Sequence, residues 1–173
     1  YERLGRADDY EEAISLLRRA LDITSDQNPE KLSMLINLGG ALKSRFQRVG
    51  ELADLEAAIS VNRRAVDLTP DGHPHRPSSM NNLGNALQRR FERVGELEDL
   101  EAGISVKRHA VDLTPDGHPN KPIYMDNLGS SLQSRFERVG ELADLEAAIS
   151  MQRRAVDLTP DGHPHKPSTM NNL

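Results

Sequence analysis

The sequence predicts an all-α fold, a right-handed α-solenoid of antiparallel helix pairs with about 3.8 repeats of 45 residues. Three observations predict it. The string GELADLEAAIS at Gly50 returns as GELEDLEAGIS at Gly95 and GELADLEAAIS at Gly140, and TPDGHP recurs at Thr69, Thr114 and Thr159, every marker stepping by 45. Apolar residues inside each unit fall three and four apart, the period of a helix with one buried face. No stretch alternates apolar and polar residues as a half-buried strand does.

The chain reads as a single array over 1–173: a partial repeat at 1–30, repeats at 31–75, 76–120 and 121–165, and the start of another at 166–173. Residues 76–120 and 121–165 agree at 32 of 45 positions, so they share one backbone and one set of neighbour contacts. Gly5, Ala13, Ile14 and Ala20 place the first partial repeat in register. Beginning at Tyr1 rather than Met, the sequence reads as an excised piece of an array cut at both ends.

Each unit opens with a long helix. Met80, Leu83, Leu87, Phe91 and Val94 form its apolar stripe, Pro77 suits its first turn, and Gly95 suits the left-handed residue past its end. A second helix carries Leu97, Leu100, Ile104 and Val111, with Ala110 and an always-small slot (Ala58, Gly103, Ala148) permitting close approach of its partner. Thr114-Pro115-Asp116-Gly117 ends it, because proline removes a donor and Asp-Gly favours a turn.

Composition narrows the function. With 36% hydrophobic and 28% charged residues, the chain has the balance of a soluble, helix-rich protein, and no segment is apolar for long enough to span a membrane. A net charge of -5 works against a nucleic-acid partner, whose binding needs Lys and Arg to displace condensed counterions, and favours a basic protein segment. The absence of cysteine removes disulfides and thiol chemistry and leaves the redox compartment open. With no visible signal peptide either, the chain is expected in the cytoplasm.

The pattern Leu83-Gly84, Leu87, Gly103, Lys107, Ala110 and Pro115, repeated as Leu38-Gly39, Leu42, Ala58, Asn62, Ala65 and Pro70, resembles the tetratricopeptide repeat. That family uses a helix-turn-helix unit of about 34 residues. The excess here lies in about four residues after Leu87, about three before Gly103 and about four in the TPDGHP loop. Gly103 and Lys107 depart from the usual alanine and aromatic residue. The NNLG helix start and the HP-containing loop are similar to the longer repeats of kinesin light chains and of fungal and bacterial signalling arrays. The resemblance implies a non-enzymatic scaffold that binds an extended peptide along the first helices of successive units.

On a helical wheel at about 100° per residue, Ser78, Asn81, Asn82, Asn85 and Arg89 lie opposite the apolar stripe. Their slots vary between units: Ser33, Ser78, Ile123; Ile36, Asn81, Asp126; Gly40, Asn85, Ser130; and Ser44, Arg89, Ser134. Lys43, Gln88 and Gln133 border this face, and Tyr124 occupies another varying slot beside it. One slot is constant, holding Asn37, Asn82, Asn127 and Asn172. An amide offers a donor and an acceptor, so this ladder suits a peptide backbone; kinesin light chains place asparagines against cargo in the same way. The same amides could instead bond neighbouring helices and fix repeat spacing. At ~1 kcal/mol per net hydrogen bond, four such bonds give only roughly millimolar affinity, so the variable slots must supply the rest.

Catalysis and metal binding find little support. Asp71-Gly-His73-Pro-His75 and Asp161-Gly-His163-Pro-His165 present paired imidazoles, but Asn120 replaces the second one in the middle loop, and no loop offers three or four ligands. Packing or bonding at the inter-repeat turn suits His73, His118 and His163 better. Glu96, Asp99 and Glu101 with Arg90, Arg93 and Arg108 repeat in each unit, whereas an active site is one asymmetric constellation. No cofactor is implied. The alternative to peptide binding is a structural spacer, or an element that self-associates end to end through apolar surface at the cut ends.

Overall fold

The computed structural model describes residues 2–159, with side chains from residue 9 onward. The partial repeat at 166–173, Asn172, His163 and His165 lie outside them. Seven helices follow in order: α1 (Glu2–Ile23), α2 (Glu30–Val49), α3 (Leu52–Asp67), α4 (Arg76–Val94), α5 (Leu97–Asp112), α6 (Lys121–Val139) and α7 (Leu142–Leu158). Among the described residues there is no strand. Each helix packs against the next, and α2, α4 and α6 touch in sequence, which makes a solenoid of antiparallel pairs.

Local chemistry sets the boundaries. Gly50, Gly95 and Gly140 end the long helices in the left-handed region, with φ of 80°, 86° and 84°. Their N–H groups close on Phe46, Phe91 and Phe136 carbonyls at 2.8, 2.7 and 2.7 Å, so the chain reverses without a steric penalty. The second helices end on a threonine. Thr69, Thr114 and Thr159 are buried and donate their hydroxyls to the Ala65, Ala110 and Ala155 carbonyls at 3.0, 2.6 and 2.7 Å. A base then enters from the following helix. Lys121 Nζ donates to the Val111 and Thr114 carbonyls at 2.7 and 2.6 Å, Arg76 donates to those of Val66 and Thr69, and Lys31 to that of Thr24. These cations satisfy orphan carbonyls at the negative end of a helix dipole and fix the angle at which the next pair leaves.

Two ties hold each pair together. One is ionic: Arg45, Arg90 and Arg135 clasp Asp54, Asp99 and Asp144 through two guanidinium nitrogens, with the carboxylates buried at the start of the second helix. The guanidinium of Arg135 holds the Asp144 carboxyl below its ordinary range. The second tie is steric. Gly39, Gly84 and Gly129 face the second helix so closely that an added Cβ would lie 2.8 Å from Asn62 Oδ1, 2.5 Å from Lys107 Cγ and 2.9 Å from Gln152 Cγ. The small slot (Ala58, Gly103, Ala148) is buried at the same crossing.

Two expectations change. Val94 is 45% exposed and Phe91 only half-buried, because the last turn of α4 overhangs the start of α5 at the hairpin tip. Gly5, in register with Gly50, lies inside the continuous helix α1. Arg6 and Ala7 stand where Glu51 and Leu52 start α3, so the extended residue and the apolar anchor that open a second helix are both missing there.

The crossing predicts opposite effects at neighbouring glycines. Gly84→Ala should destabilise the fold by about 2 kcal/mol, since a Cβ must displace the stem of Lys107. Gly40→Ala, whose Cβ meets nothing within 4 Å, should stabilise it by about 0.5–1 kcal/mol. Urea unfolding of both variants checks the pair.

Candidate functional site

The first helices present two junctions of different character. Between α2 and α4 a cavity of about 350 Å³ opens. Gly39, Gly40, Ala58 and Ala86 keep its floor low, because none carries more than a methyl group. Asn37, Lys43, Asn82, Asn85 and Arg89 line it as well, all of them residues that the sequence pattern singles out, and Ile36 and Leu55 add apolar wall. The lining holds two cations and no carboxylate. Asn37 and Lys43 are exposed, and Asn82 and Asn85 half-buried. The guanidinium of Arg89 is held loosely at 3.1 Å from Glu92, with both side chains in solvent.

Between α4 and α6 the equivalent space is filled. Asn81 is buried, with its Oδ1 accepting from Asn127 Nδ2 at 3.0 Å. The placement of Asn81 on the open face therefore does not hold, and Asn127 gives one amide donor to its neighbour. Each first helix packs against its own second helix, the preceding second helix and, more lightly, the adjoining first helix, so more than one of its sides is covered; a wheel opposed to a single stripe allows for one. Gln88 is likewise engaged, its Oε1 accepting from Lys107 Nζ at 2.5 Å and Ser131 Oγ at 2.7 Å, its Nε2 donating to Glu92 at 3.1 Å. Ile123 is 41% exposed, Gln133 bonds Glu137 along its own helix, and Asp126 and Ser130 are half-buried. Tyr124 is 5% exposed and turns toward the connecting loops, which explains why it lies off the groove arc.

With this geometry, the comparisons with known proteins decide the family. A tetratricopeptide-repeat model matches residues 78–120 and again 124–165. The chain is a tetratricopeptide-like repeat protein. A crystal structure of kinesin light chain nearly identical TPR-like repeats from Podosopora anserina superposes with a TM-score of 0.69 at 16% identity, over 99% of this chain and 79% of that one. A single-substitution variant of those repeats gives 0.70 at 15%, with the same coverage. At such identity the likeness concerns the fold. No curated protein matches the sequence. Tetratricopeptide-like repeats generally mediate protein–protein interaction.

What the sequence pattern missed in this repeat array is the slot that separates the two junctions. Asn62, Lys107 and Gln152 occupy one position of the second helix, all buried and all crossing a glycine of the first. Asn62 is short and reaches only the Asn82 carbonyl, at 3.5 Å, so the α2–α4 space stays open. Lys107 is long. Its Nζ crosses the α4–α6 space to Gln88 Oε1, Ser131 Oγ at 2.8 Å and the Asn127 carbonyl at 3.2 Å, three acceptors for three N–H groups. The sequence signal was present in a polar residue recurring opposite a Leu-Gly pair. Among the described residues no group of three or more His, Asp or Glu is arranged to hold a metal ion. His73 and His118 instead accept backbone N–H groups at Nδ1 within their own loops.

Burial pushes the Lys107 amine down to about 7, opposed by Glu92 and aided by Arg89. Below pH 7 the group is protonated both folded and unfolded, so the cost of burying its charge is fully present. As pH rises from 7 toward 10.5, the folded protein sheds this proton while the unfolded chain keeps it, and stability increases. Native stability should accordingly rise by up to about 2 kcal/mol between pH 7 and 9 relative to Lys107→Gln, whose slope lacks this contribution. Parallel urea titrations read the difference; coincident slopes would show that the three acceptors hold the ammonium charged.

Proposed function

We propose that this array is a non-enzymatic scaffold module that captures an extended segment of a partner protein along its first helices, seated at the α2–α4 junction. The observation that carries this reading is the open cavity there, with an apolar floor and a rim of asparagines and cations. A cleft of that size accepts one large apolar side chain, while Asn37, Asn82 and Asn85 offer donors and acceptors to the backbone on either side. The ladder thus serves both alternatives at once: Asn37 and Asn82 face the cavity, and Asn127 spaces helices.

Local charge modifies the partner expected from composition. The value of -5 belongs to the whole chain, but the cavity lining carries Lys43 and Arg89 and no carboxylate, the exposed Glu92 pairing with Arg89 from outside it. The captured segment is therefore acidic beside its apolar anchor, since a basic residue would meet like charge at short range. Basic character in the ligand is left to the stretch near Asp126 on α6.

Gly40→Leu supplies the test, because Gly40 lines the cavity and a Cβ there meets nothing within 4 Å. On a peptide array, capture of acidic-apolar segments by this variant should fall about tenfold or more while the fold gains helix propensity. Asn82→Ala should weaken capture several-fold. Unchanged capture in both variants would remove the groove reading.

A further inference from the structure

A second cavity lies away from the groove, where the loop joining α3 to α4 meets the loop joining α5 to α6. Its volume is about 380 Å³. We propose that this cleft is a separate binding site for a small organic oxyanion, an aryl or alkyl phosphate or carboxylate. Three features converge on that chemistry. First, the imidazoles of His73 and His118 both line it, and both have their tautomer fixed: the backbone N–H of His75 donates to His73 Nδ1 at 3.2 Å, and that of Asn120 to His118 Nδ1 at 3.1 Å. Each ring therefore carries its proton on Nε2 and offers a donor.

Second, the wall contains Arg76 and no carboxylate. Two acids stand close by, and one of them faces the cation of the wall. Asp116 pairs with Arg154 at 2.8 Å and Lys121 at 3.6 Å, while Asp71 lies 3.2 Å from Arg76 Nε, which is buried and makes no hydrogen bond. Arg76 is thus shared among Asp71 and the Val66 and Thr69 carbonyls, and in a lining without a carboxylate the imidazole Nε2–H groups are the donors offered to an anion. Third, the volume exceeds what a bare oxyanion needs, and the surplus is bounded by apolar surface from Pro77, Pro115 and the buried ring of Tyr124. This explains the departure at Tyr124. At the preceding junction the corresponding residues are Asn28, Glu30 and Ser79 in place of His73, His75 and Tyr124, which puts a carboxylate where an imidazole stands and leaves no ring to pack on.

Phenyl phosphate is the probe, followed by the histidine ring signals in NMR titrations of the whole chain. Saturable shifts at the His73 and His118 rings are expected, with binding weakened about tenfold or more by His118→Ala. Tyr124→Ser, which installs the residue of the preceding unit, should reduce binding of phenyl phosphate to the level of inorganic phosphate. Capture of peptides by the α2–α4 groove should be unaffected in both variants, which separates this site from the groove. Absence of saturation, or titrations identical to the parent in both variants, overturns the proposal. Equal affinity of the parent for inorganic and phenyl phosphate overturns the organic class of ligand.

Discussion

The close crossing of Gly39, Gly84 and Gly129 over the second helix is the constraint on which the rest of the molecule depends. Without a Cβ on that side, the paired helices approach until the side chain at position 62, 107 or 152 must pass across the glycine toward the next pair. The identity of that residue then decides what happens in the adjoining space. A short amide leaves a cavity, and a lysine fills one with its stem and three hydrogen bonds. Core packing and the availability of a binding surface are thus set by one contact.

Much of the fold was legible because periodicity acts on every copy at once. The markers at Gly50, Gly95 and Gly140 located the reversals, the TPDGHP strings located the connections, and the spacing of Leu83, Leu87, Leu100 and Ile104 gave both buried faces. Legibility failed where the repeat was incomplete or where neighbours intervened. Gly5 carries the marker without the residues that give it effect, and Val94 continues an apolar stripe past the helix meant to cover it.

The candidate site was half legible, for a different reason. Asn37, Asn82, Asn85, Lys43 and Arg89 do gather around one cavity, but Asn81 and Gln88 face an adjoining helix that a single-helix wheel does not contain. In the sequence Lys107 is only a departure from the repeat pattern, since nothing there signals that its ammonium group is enclosed by Gln88, Asn127 and Ser131. Net charge is a coarse guide for a related reason: it averages over a surface on which the α2–α4 cavity is lined by Lys43 and Arg89.

The bases Lys31, Arg76 and Lys121 give the solenoid an asymmetric stiffness. They anchor to carbonyls along the edge where successive pairs are joined, and the bridges Asp26–Arg64 and Asp116–Arg154 lie on that same edge. The opposite edge, at Gly50, Gly95 and Gly140, consists of reversals whose valines stand in solvent. An object bound along one margin opens like a book, from the unbound side. On this geometry bending would fan the hairpin tips apart more readily than the joined edge, so the width of the channel between first helices would vary most toward the tips and least beside the connecting loops.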